Sequence, residues 1–373
     1  MAFQRSRSII CFSHLRWSFV FQRPQHILSR LAAEYDIHFF EEPVFEDGAI
    51  PELVKESPAA GVTVVRPRLP RTEPERAEIE QEHLLRSYIA QERLRSPILW
   101  YYTPMAMGFT QRVTHSLCVY DCMDELSMFA FAPAILKERE RMLFDRADVV
   151  FTGGRSLFYN KRRHHENVRC FPSAVDAQHF APRAVPEPAE LRSLPHPRFG
   201  FYGVVDERFD AEYLRRIASA RPQWQFVVVG PVVKIDPQTL PQAPNIHYVP
   251  QRGYDELPAY LHHWDVAMLP FALNDSTRFI SPTKTLEYLA AEKPVISTPI
   301  ADVVDPYGEE GLVGIAGTPE EFVSLGDRIL REGVSDRWRS RIRATVKEQS
   351  WDATVAAMGA ELNRLALAQV VAR

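Results

Sequence analysis

The 373-residue sequence lacks the features that would place it in a membrane or a secretory pathway. It contains no run of about 18 apolar residues, which is the length that a membrane-spanning helix needs. The apolar segment at residues 8–11 follows a basic start but is too short for the core of a signal peptide. We therefore expect neither a bilayer-spanning helix nor a secretory signal.

Cysteine is also scarce. The four cysteines are scattered along the chain, and no Cys-x-x-Cys pair of the zinc-binding type occurs. Three of them, Cys11, Cys118 and Cys170, lie in apolar runs typical of buried strands. This usage predicts buried, reduced thiols in a cytoplasmic protein rather than a disulfide framework.

An excess of positive charge is missing too. Residues 1–180 carry 23 Lys and Arg against 23 Asp and Glu, and residues 181–373 carry 21 against 25. Proteins that bind nucleic acid through its phosphates need a basic surface, so we expect no nucleic acid partner.

What the sequence does contain is a regular alternation of short apolar runs with helical patterns, which predicts parallel sheets covered by helices. The predicted strands are residues 8–12, 37–40, 62–66, 98–102, 117–120, 149–152 and 168–171, then 199–205, 225–229, 246–249, 266–270, 294–297 and 312–315. Residues 41–61 are predicted to be an exposed loop. Residues 181–197, with five prolines, are predicted to link two domains.

The most informative stretch is residues 281–298, where a polar loop opens a short helix after the buried strand at 265–271. Ser281 suits the N-cap and Pro282 the first helical position. The free N–H groups of Thr283 and Lys284, with the Lys284 side chain, predict an anion site. Glu287, one turn later, implies hydroxyl groups beside that anion. A phosphate next to a polyol is the outline of a nucleotide sugar.

The segment from 254 to 298 resembles the donor-binding half of GT-B glycosyltransferases, in the large retaining family GT4. Within it, the closest resemblance is to bacterial enzymes of surface-polysaccharide assembly, such as teichuronic-acid-type glycosyltransferases. Three further segments match that subgroup in the same order along the chain: Trp17 with residues 21–26, residues 120–124, and residues 147–152 leading to Val175, Asp176 and Phe180.

The resemblance implies an α/β protein with the GT-B fold, in which two Rossmann-like domains face each other across a cleft. Residues 1–180 would form the acceptor domain and residues 198–350 the nucleotide-sugar donor domain. Residues 351–373 would be a helix that crosses back to the N-terminal domain. Retention of the anomeric configuration is likewise implied by the resemblance alone.

The same resemblance implies the residues of the donor site. Glu287 would accept hydrogen bonds from the ribose, and the N–H groups of Thr283 and Lys284 would hold the diphosphate. The full predicted donor set is Gly203, Ser281, Thr283, Lys284, Thr285 and Glu287. Two departures from the family concern the sugar: Phe279 replaces a carboxylate eight positions before Glu287, and Ser281-Pro282-Thr283 replaces a glycine-rich turn.

Four residues are candidates for catalysis. Arg208, with Lys284 as a second cation, could neutralise the leaving diphosphate. Asp121 and Asp124 follow a predicted strand and could act as acid or base toward the acceptor, although a helix-capping role for them is an equal alternative.

The loop after the first strand, residues 13–26, supplies candidates for the acceptor site. Trp17 could stack on a sugar ring and Arg23 could bind a phosphate, with Gln22 and His26 beside them. The alternative is that the aromatic residues of this loop anchor it in the N-terminal core.

No metal or other cofactor is expected, because the Asp-x-Asp motif of metal-dependent glycosyltransferases is missing from every strand end. The expected partners are a nucleotide-sugar donor, with UDP favoured over GDP, and a glycan or lipid-linked acceptor. The basic run 161–165 is expected to be solvated, with contact to the inner membrane surface as the alternative. Two other functions stay open: a nucleotide-sugar epimerase of the same fold, and a non-catalytic protein that binds nucleotide sugars.

Overall fold

The computed structural model describes residues 7–371, with side chains up to residue 369. Contacts between residues divide this chain into two compact α/β units. Unit 1 contains residues 7–127, 131–172 and 352–371, and unit 2 contains residues 128–130 and 173–351. Each unit is built around one largely parallel sheet.

Unit 1 contains a nine-stranded sheet with the strand order β3-β5-β2-β1-β6-β7-β8-β9, and β4 pairs with β5 outside this path. The strands are β1 (Ser8–Ser13), β2 (Asp36–Glu41), β3 (Val44–Glu46), β4 (Glu52–Ala59), β5 (Val62–Pro70), β6 (Ile98–Tyr101), β7 (Leu117–Cys122), β8 (Val149–Thr152) and β9 (Val168–Cys170). The central strands β6, β7 and β8 are buried at every position, as a parallel sheet covered on both faces requires.

Six helices belong wholly or largely to unit 1. They are α1 (Arg23–Leu31), α2 (Pro74–Gln91), α3 (Met107–Thr110), α4 (Leu136–Arg146), α5 (Arg155–Lys161) and the C-terminal α13 (Trp351–Val371). Ion pairs fix α13 within this unit: Arg30 of α1 binds Asp352 at 2.5 Å, and Arg169 binds Glu361 at 3.2 Å. Among the described residues, no helix is both long and apolar enough to cross a membrane.

Unit 2 has six parallel strands in the order β12-β11-β10-β13-β14-β15. They are β10 (Arg198–Tyr202), β11 (Gln225–Val229), β12 (Ile246–Val249), β13 (Val266–Leu269), β14 (Val295–Ser297) and β15 (Gly314–Ile315). The order reverses between β10 and β13, which is where open α/β sheets place their ligands, beyond the carboxyl ends of the strands.

The helices of unit 2 are α6 (Ala177–Phe180), α7 (Ala211–Ala220), α8 (Leu257–His262), α9 (Thr283–Ala290), α10 (Ala301–Val303), α11 (Pro319–Glu332) and α12 (Asp336–Glu348). The proline-rich segment 181–197 lies within this unit. Leu191 is fully buried in the unit 2 core, and Arg198 at the start of β10 pairs with Glu187 at 2.5 Å.

The segment 41–61 differs from its prediction. Residues 41–61 form β3 and β4 rather than a loop, and β4 runs antiparallel to β5. Most side chains of β4 are exposed, and its sequence does not alternate between apolar and polar residues. The strand is formed by backbone hydrogen bonds to β5, which an analysis of side-chain patterns does not detect.

Candidate functional site

The carboxyl edge of the unit 2 sheet brings the end of β10 against α9. The hydroxyl group of Tyr202, the last residue of β10, donates a hydrogen bond of 2.8 Å to Oε2 of Glu287. The backbone N–H of Tyr202 donates to the Tyr288 hydroxyl at 3.0 Å. Two consecutive residues of α9 are thus tied to one residue of β10, which fixes the position of the Glu287 carboxylate.

Glu287 is only 5% exposed, and the Tyr202 hydroxyl donates a hydrogen bond to its carboxylate. Burial raises the pKa of Tyr202 well above its ordinary value, and the charge of Glu287 raises it further. Tyr202 therefore keeps its proton and stays a donor to the carboxylate. This arrangement matches the predicted role of Glu287 as a fixed acceptor for hydroxyl groups, although that role stays a prediction.

The start of α9 differs in detail from the predicted cap. The helix begins at Thr283, and Pro282 occupies the N-cap with an extended ψ of 115° and no side-chain capping bond. Ser281 is therefore not the N-cap, and its carbonyl accepts a 2.9 Å hydrogen bond from the Ser173 hydroxyl. The first N–H groups of any helix lack intrahelical acceptors, and Thr283 and Lys284 are the first two residues of this helix. The anion site predicted for them stays a prediction.

Lys284 lies against the strand end that carries Gly203. A Cβ added at Gly203 would be 3.6 Å from Lys284 Cε, and the Lys284 ammonium is 3.2 Å from the Thr283 hydroxyl. The structure thus brings Gly203, Thr283, Lys284 and Glu287 to one sheet edge. Thr285, also predicted here, is buried at 1% exposure within the helix.

Two glycines make the strand ends approach each other closely. Gly203 and Gly230 have φ values of +151° and +148°, which favour glycine. A Cβ at Gly230 would lie 1.9 Å from the Gly203 carbonyl oxygen, so no side chain fits there. Gly230 and Tyr202 were missed as site residues, although a glycine directly after a buried strand is a signal that sequence analysis can use.

Arg208 follows β10 and is held in place by Asp206. The Asp206 carboxylate accepts hydrogen bonds from Arg208 Nε at 2.9 Å and from Nη2 at 2.7 Å, and also from the Arg208 backbone N–H at 3.0 Å. The Arg208 guanidinium lies 5.3 Å from the centre of the Phe129 ring. Phe129 belongs to the short segment 128–130, which is part of unit 2. This carboxylate offsets the charge of Arg208 and fixes its orientation.

Phe279, which stands where the resembled family has a carboxylate, is paired with an arginine. The Arg278 guanidinium lies 5.3 Å from the centre of the Phe279 ring, a cation–π distance. The replacement therefore removes a negative charge from this position, which lies beside the positive charge of Arg278.

In unit 1, the predicted acceptor and acid–base residues Arg23 and Asp121 bind each other. Arg23 Nε and Nη2 donate to Asp121 Oδ1 at 3.0 and 2.8 Å, and Nη1 donates to the Phe171 carbonyl at 2.7 Å. The two residues are 2% and 0% exposed. This buried pair ties the start of α1 to the end of β7. The Arg23 guanidinium is thus bonded to protein groups, and its predicted contact with a phosphate stays a prediction.

The rest of the loop before α1 is also anchored. The Trp17 ring packs edge-on against Phe39 with 5.1 Å between ring centres, and the backbone N–H of Trp17 donates to Glu41 Oε1 at 2.8 Å. Gln22 precedes α1 and donates its backbone N–H to Gln25 at 3.1 Å. His26 is buried against Phe21, with 4.7 Å between ring centres. These contacts favour the anchoring alternative, and the predicted acceptor contacts stay predictions.

The segment after β7 contains a buried ion cluster. Lys161 binds Glu125 at 2.6 Å and Glu140 at 2.8 Å, and is 2% exposed, so its predicted solvation is wrong. Asp124 is half-buried, and its carbonyl accepts a 3.4 Å contact from the Cys122 thiol. Burial raises the pKa of Cys122 to about 12, so this thiol stays protonated.

A cavity of about 250 Å³ opens at the carboxyl edge of the unit 1 sheet, where β1 and β2 end. We call it the carboxyl-edge cavity. Its walls combine aromatic and polar side chains, among them Phe12, Phe40, Phe109, Glu41, Gln81 and Arg139. Sequence analysis missed it because its residues come from five separate segments.

Comparisons with known proteins agree with the geometry of unit 2. Residues 197–332 match the family described as Glycosyl transferases group 1. Over 274 residues, the chain is 23% identical to TuaH of Bacillus subtilis (strain 168), named as a glycosyltransferase of teichuronic acid biosynthesis. That alignment covers 68% of each chain.

Solved structures resemble nearly the whole chain. Sucrose-phosphate synthase from Thermosynechococcus elongatus superposes with a TM-score of 0.74 at 17% identity, over 97% of this chain and 100% of that one. A UDP-forming α,α-trehalose-phosphate synthase from Burkholderia xenovorans gives 0.66 at 14% identity, over 97% and 99%. The fold is the GT-B fold, and the chain, whose residues 197–332 match the group 1 glycosyltransferase model, is a glycosyltransferase.

Proposed function

We propose that the enzyme transfers a sugar from a UDP-sugar, bound at the carboxyl edge of the unit 2 sheet, to a glycan or lipid-linked acceptor. The observation that carries this proposal is the Glu287 carboxylate, fixed by Tyr202 one turn into the helix whose start carries Lys284. A fixed carboxylate beside an anion site suits ribose hydroxyls next to a diphosphate.

The diphosphate would lie at the start of α9. The N–H groups of Thr283 and Lys284, the helix dipole and the Lys284 ammonium all attract negative charge there. Gly203 lets the phosphate oxygens approach the backbone, because no side chain stands between them and the strand end. Arg208, oriented by Asp206, would meet negative charge that develops on the leaving group.

The acceptor would lie in the carboxyl-edge cavity of unit 1. Its aromatic walls can cover the apolar face of a sugar ring or a lipid chain, and its carboxylate, amide and guanidinium groups can bind hydroxyls. Parallel strands present their variable loops at this edge, which is why binding sites concentrate there.

A role in bacterial surface-polysaccharide synthesis, with retention of configuration, extends the proposal. It is supported by the resemblance to teichuronic-acid-type enzymes and by the similarity to TuaH. UDP as the donor nucleotide is supported by the structural likeness to a synthase named as UDP-forming.

A panel of nucleotides and UDP-sugars tests the proposal. UDP is expected to raise the melting temperature more than GDP, ADP or dTDP at equal concentration, because a ligand that binds only the folded state stabilises it by mass action. UDP-sugars should be consumed with release of UDP when an acceptor is supplied. Preference for another nucleotide would contradict the donor assignment, and an epimerised donor without UDP release would favour the epimerase.

Turnover is expected to persist in EDTA without added Mg²⁺ or Mn²⁺. Lys284, Arg208 and the start of α9 supply positive charge that can neutralise the leaving diphosphate. The measurement is UDP release after dialysis against EDTA, with an untreated sample as control. Activity lost in EDTA and restored by a divalent cation would show that the metal is required.

A further inference from the structure

The loop after β10 that carries Arg208 is anchored through its backbone. The N–H of Ala272, in the loop after β13, donates to the Arg208 carbonyl at 2.8 Å. Two residues after Arg208, the N–H of Asp210 donates to the Pro270 carbonyl at 2.9 Å. The position of this backbone is therefore fixed, and the orientation of the guanidinium depends on the groups that contact the side chain.

Asp206 holds one edge of the guanidinium. Its carboxylate accepts hydrogen bonds from Nε and Nη2 of Arg208, which lie along the same edge of the planar group. The Arg208–Asp206 pair has no net charge, so a second acidic partner would make this place repel a diphosphate. A further group that orients Arg208 without weakening its attraction for an anion has to be neutral.

The ring of Phe129 is such a neutral group. The Arg208 guanidinium lies over this ring, 5.3 Å from its centre, which is within the range of a cation–π interaction. The negative face of an aromatic ring attracts a guanidinium and leaves its positive charge in place. Phe129 thus covers one face of the planar group while Asp206 holds one edge.

Glu207 fixes the segment 128–130 beside Arg208. Its Oε1 accepts a hydrogen bond of 2.9 Å from the backbone N–H of Ala130. Its carbonyl accepts a hydrogen bond of 3.0 Å from Nδ2 of Asn274, so Glu207 is itself held. Two adjacent residues of the segment therefore meet two adjacent residues of the loop, Phe129 with Arg208 and Ala130 with Glu207. This pairing sets the position of the ring over the guanidinium.

A second phenylalanine in the same run provides an internal comparison. Residues 128–136 form an uncharged run that contains both Phe129 and Phe131. Phe129 is half-buried against Arg208, whereas Phe131 is 89% exposed. The two side chains are chemically identical, so any difference between their effects on the reaction comes from their surroundings.

We propose that Phe129 is a positioning residue for sugar transfer: its ring, held by the bond from Ala130 to Glu207, keeps the Arg208 guanidinium in the orientation that meets the leaving diphosphate. This inference rests on the proposed function, which gives Arg208 that task. Negative charge grows on the diphosphate as its bond to the sugar breaks, and a cation already in place then needs no reorganisation. The ring should therefore contribute to kcat more than to the KM of the donor.

Substitutions at position 129 test this role through the release of UDP with water as the acceptor. The probe is whichever of UDP-glucose, UDP-galactose, UDP-N-acetylglucosamine and UDP-glucuronic acid the parent protein turns over fastest. Phe129→Leu keeps apolar bulk but removes the ring, and is expected to lower kcat about 5- to 30-fold. The donor KM should change by less than about twofold. Phe129→Tyr, which keeps the ring, and the matched control Phe131→Leu should stay within about twofold of the parent kcat.

A double variant shows whether the ring acts through the guanidinium. Arg208→Ala should lower kcat, and adding Phe129→Leu to it should cause no further loss, because the ring has then lost the group that it positions. Glu207→Gln keeps an acceptor for the Ala130 N–H and should retain the parent kcat. Glu207→Ala should lower kcat toward the value of Phe129→Leu. Urea denaturation gives the folded fraction of each variant, and kcat is expressed per folded molecule.

The outcomes separate this inference from the proposed function. A slow Arg208→Ala protein together with a parent-like Phe129→Leu protein would overturn the positioning role alone. Additive losses in the double variant, or an equal loss from Phe131→Leu, would likewise show that the ring does not act by positioning Arg208. An Arg208→Ala protein as fast as the parent, or a parent that releases UDP from none of the four donors, would refute the proposed function and this inference with it.

Discussion

Alanine at position 287 is expected to weaken UDP binding by about 1–3 kcal/mol, roughly five- to 150-fold in Kd, in a protein that remains folded. The Glu287 carboxylate is the acceptor proposed for the ribose hydroxyls, and hydrogen bonds to a charged group are among the stronger ones in proteins. Tyr202 holds this carboxylate at 2.8 Å, so the group is placed before the nucleotide arrives. Isothermal titration calorimetry with UDP measures the loss.

Two variants control for indirect effects. Tyr202→Phe keeps the ring and removes the hydroxyl group that orients Glu287, so it should cost less affinity than Glu287→Ala. Glu292→Ala removes a carboxylate just beyond the other end of α9, where it pairs with Arg339 and Arg343, and should leave UDP affinity unchanged. Unaltered UDP binding by a folded Glu287→Ala protein would place the nucleotide elsewhere.

The elements of the donor site were predictable because their signals are local. A continuous apolar run predicts a buried strand, and the polar loop at 281 predicts a helix start within two residues of Thr283. The error at Ser281 also has a local cause. Pro282 suits both the first helical position and the residue before it, and the bond from Ser173 to the Ser281 carbonyl is not visible in the sequence.

The partners in unit 1 were not predictable, because they are distant in sequence. Arg23 and Asp121 are 98 residues apart, and Lys161 meets Glu125 across 36 residues. A single sequence shows which residues can be charged but not which charges are buried together. Lys161 was therefore interpreted as solvated and Arg23 as a phosphate ligand, and only the folded sheet shows that both are buried with acidic partners.

Alanine at position 23 is expected to lower the free energy of unfolding of unit 1 by about 3–5 kcal/mol, because it leaves the Asp121 carboxylate buried without its partner. The pair is almost completely buried, and Arg23 also donates to the Phe171 carbonyl, so no water can replace the lost bonds without opening the structure. Urea denaturation gives the loss, and hydrogen exchange of peptides from α1 and β7 locates it in unit 1.

The double variant Arg23→Met with Asp121→Leu separates a structural pair from a catalytic one. If the pair is structural, removing both charges should recover much of the stability lost in Arg23→Ala, since well-packed apolar residues can replace a buried ion pair. Turnover per folded molecule should then recover as well. Trp17→Ala, which removes the ring packed on Phe39, should likewise lower stability more than activity. Full stability of Arg23→Ala with a large loss of turnover and unchanged UDP affinity would instead assign Arg23 to the reaction, because a residue used only in the transition state leaves ground-state binding intact.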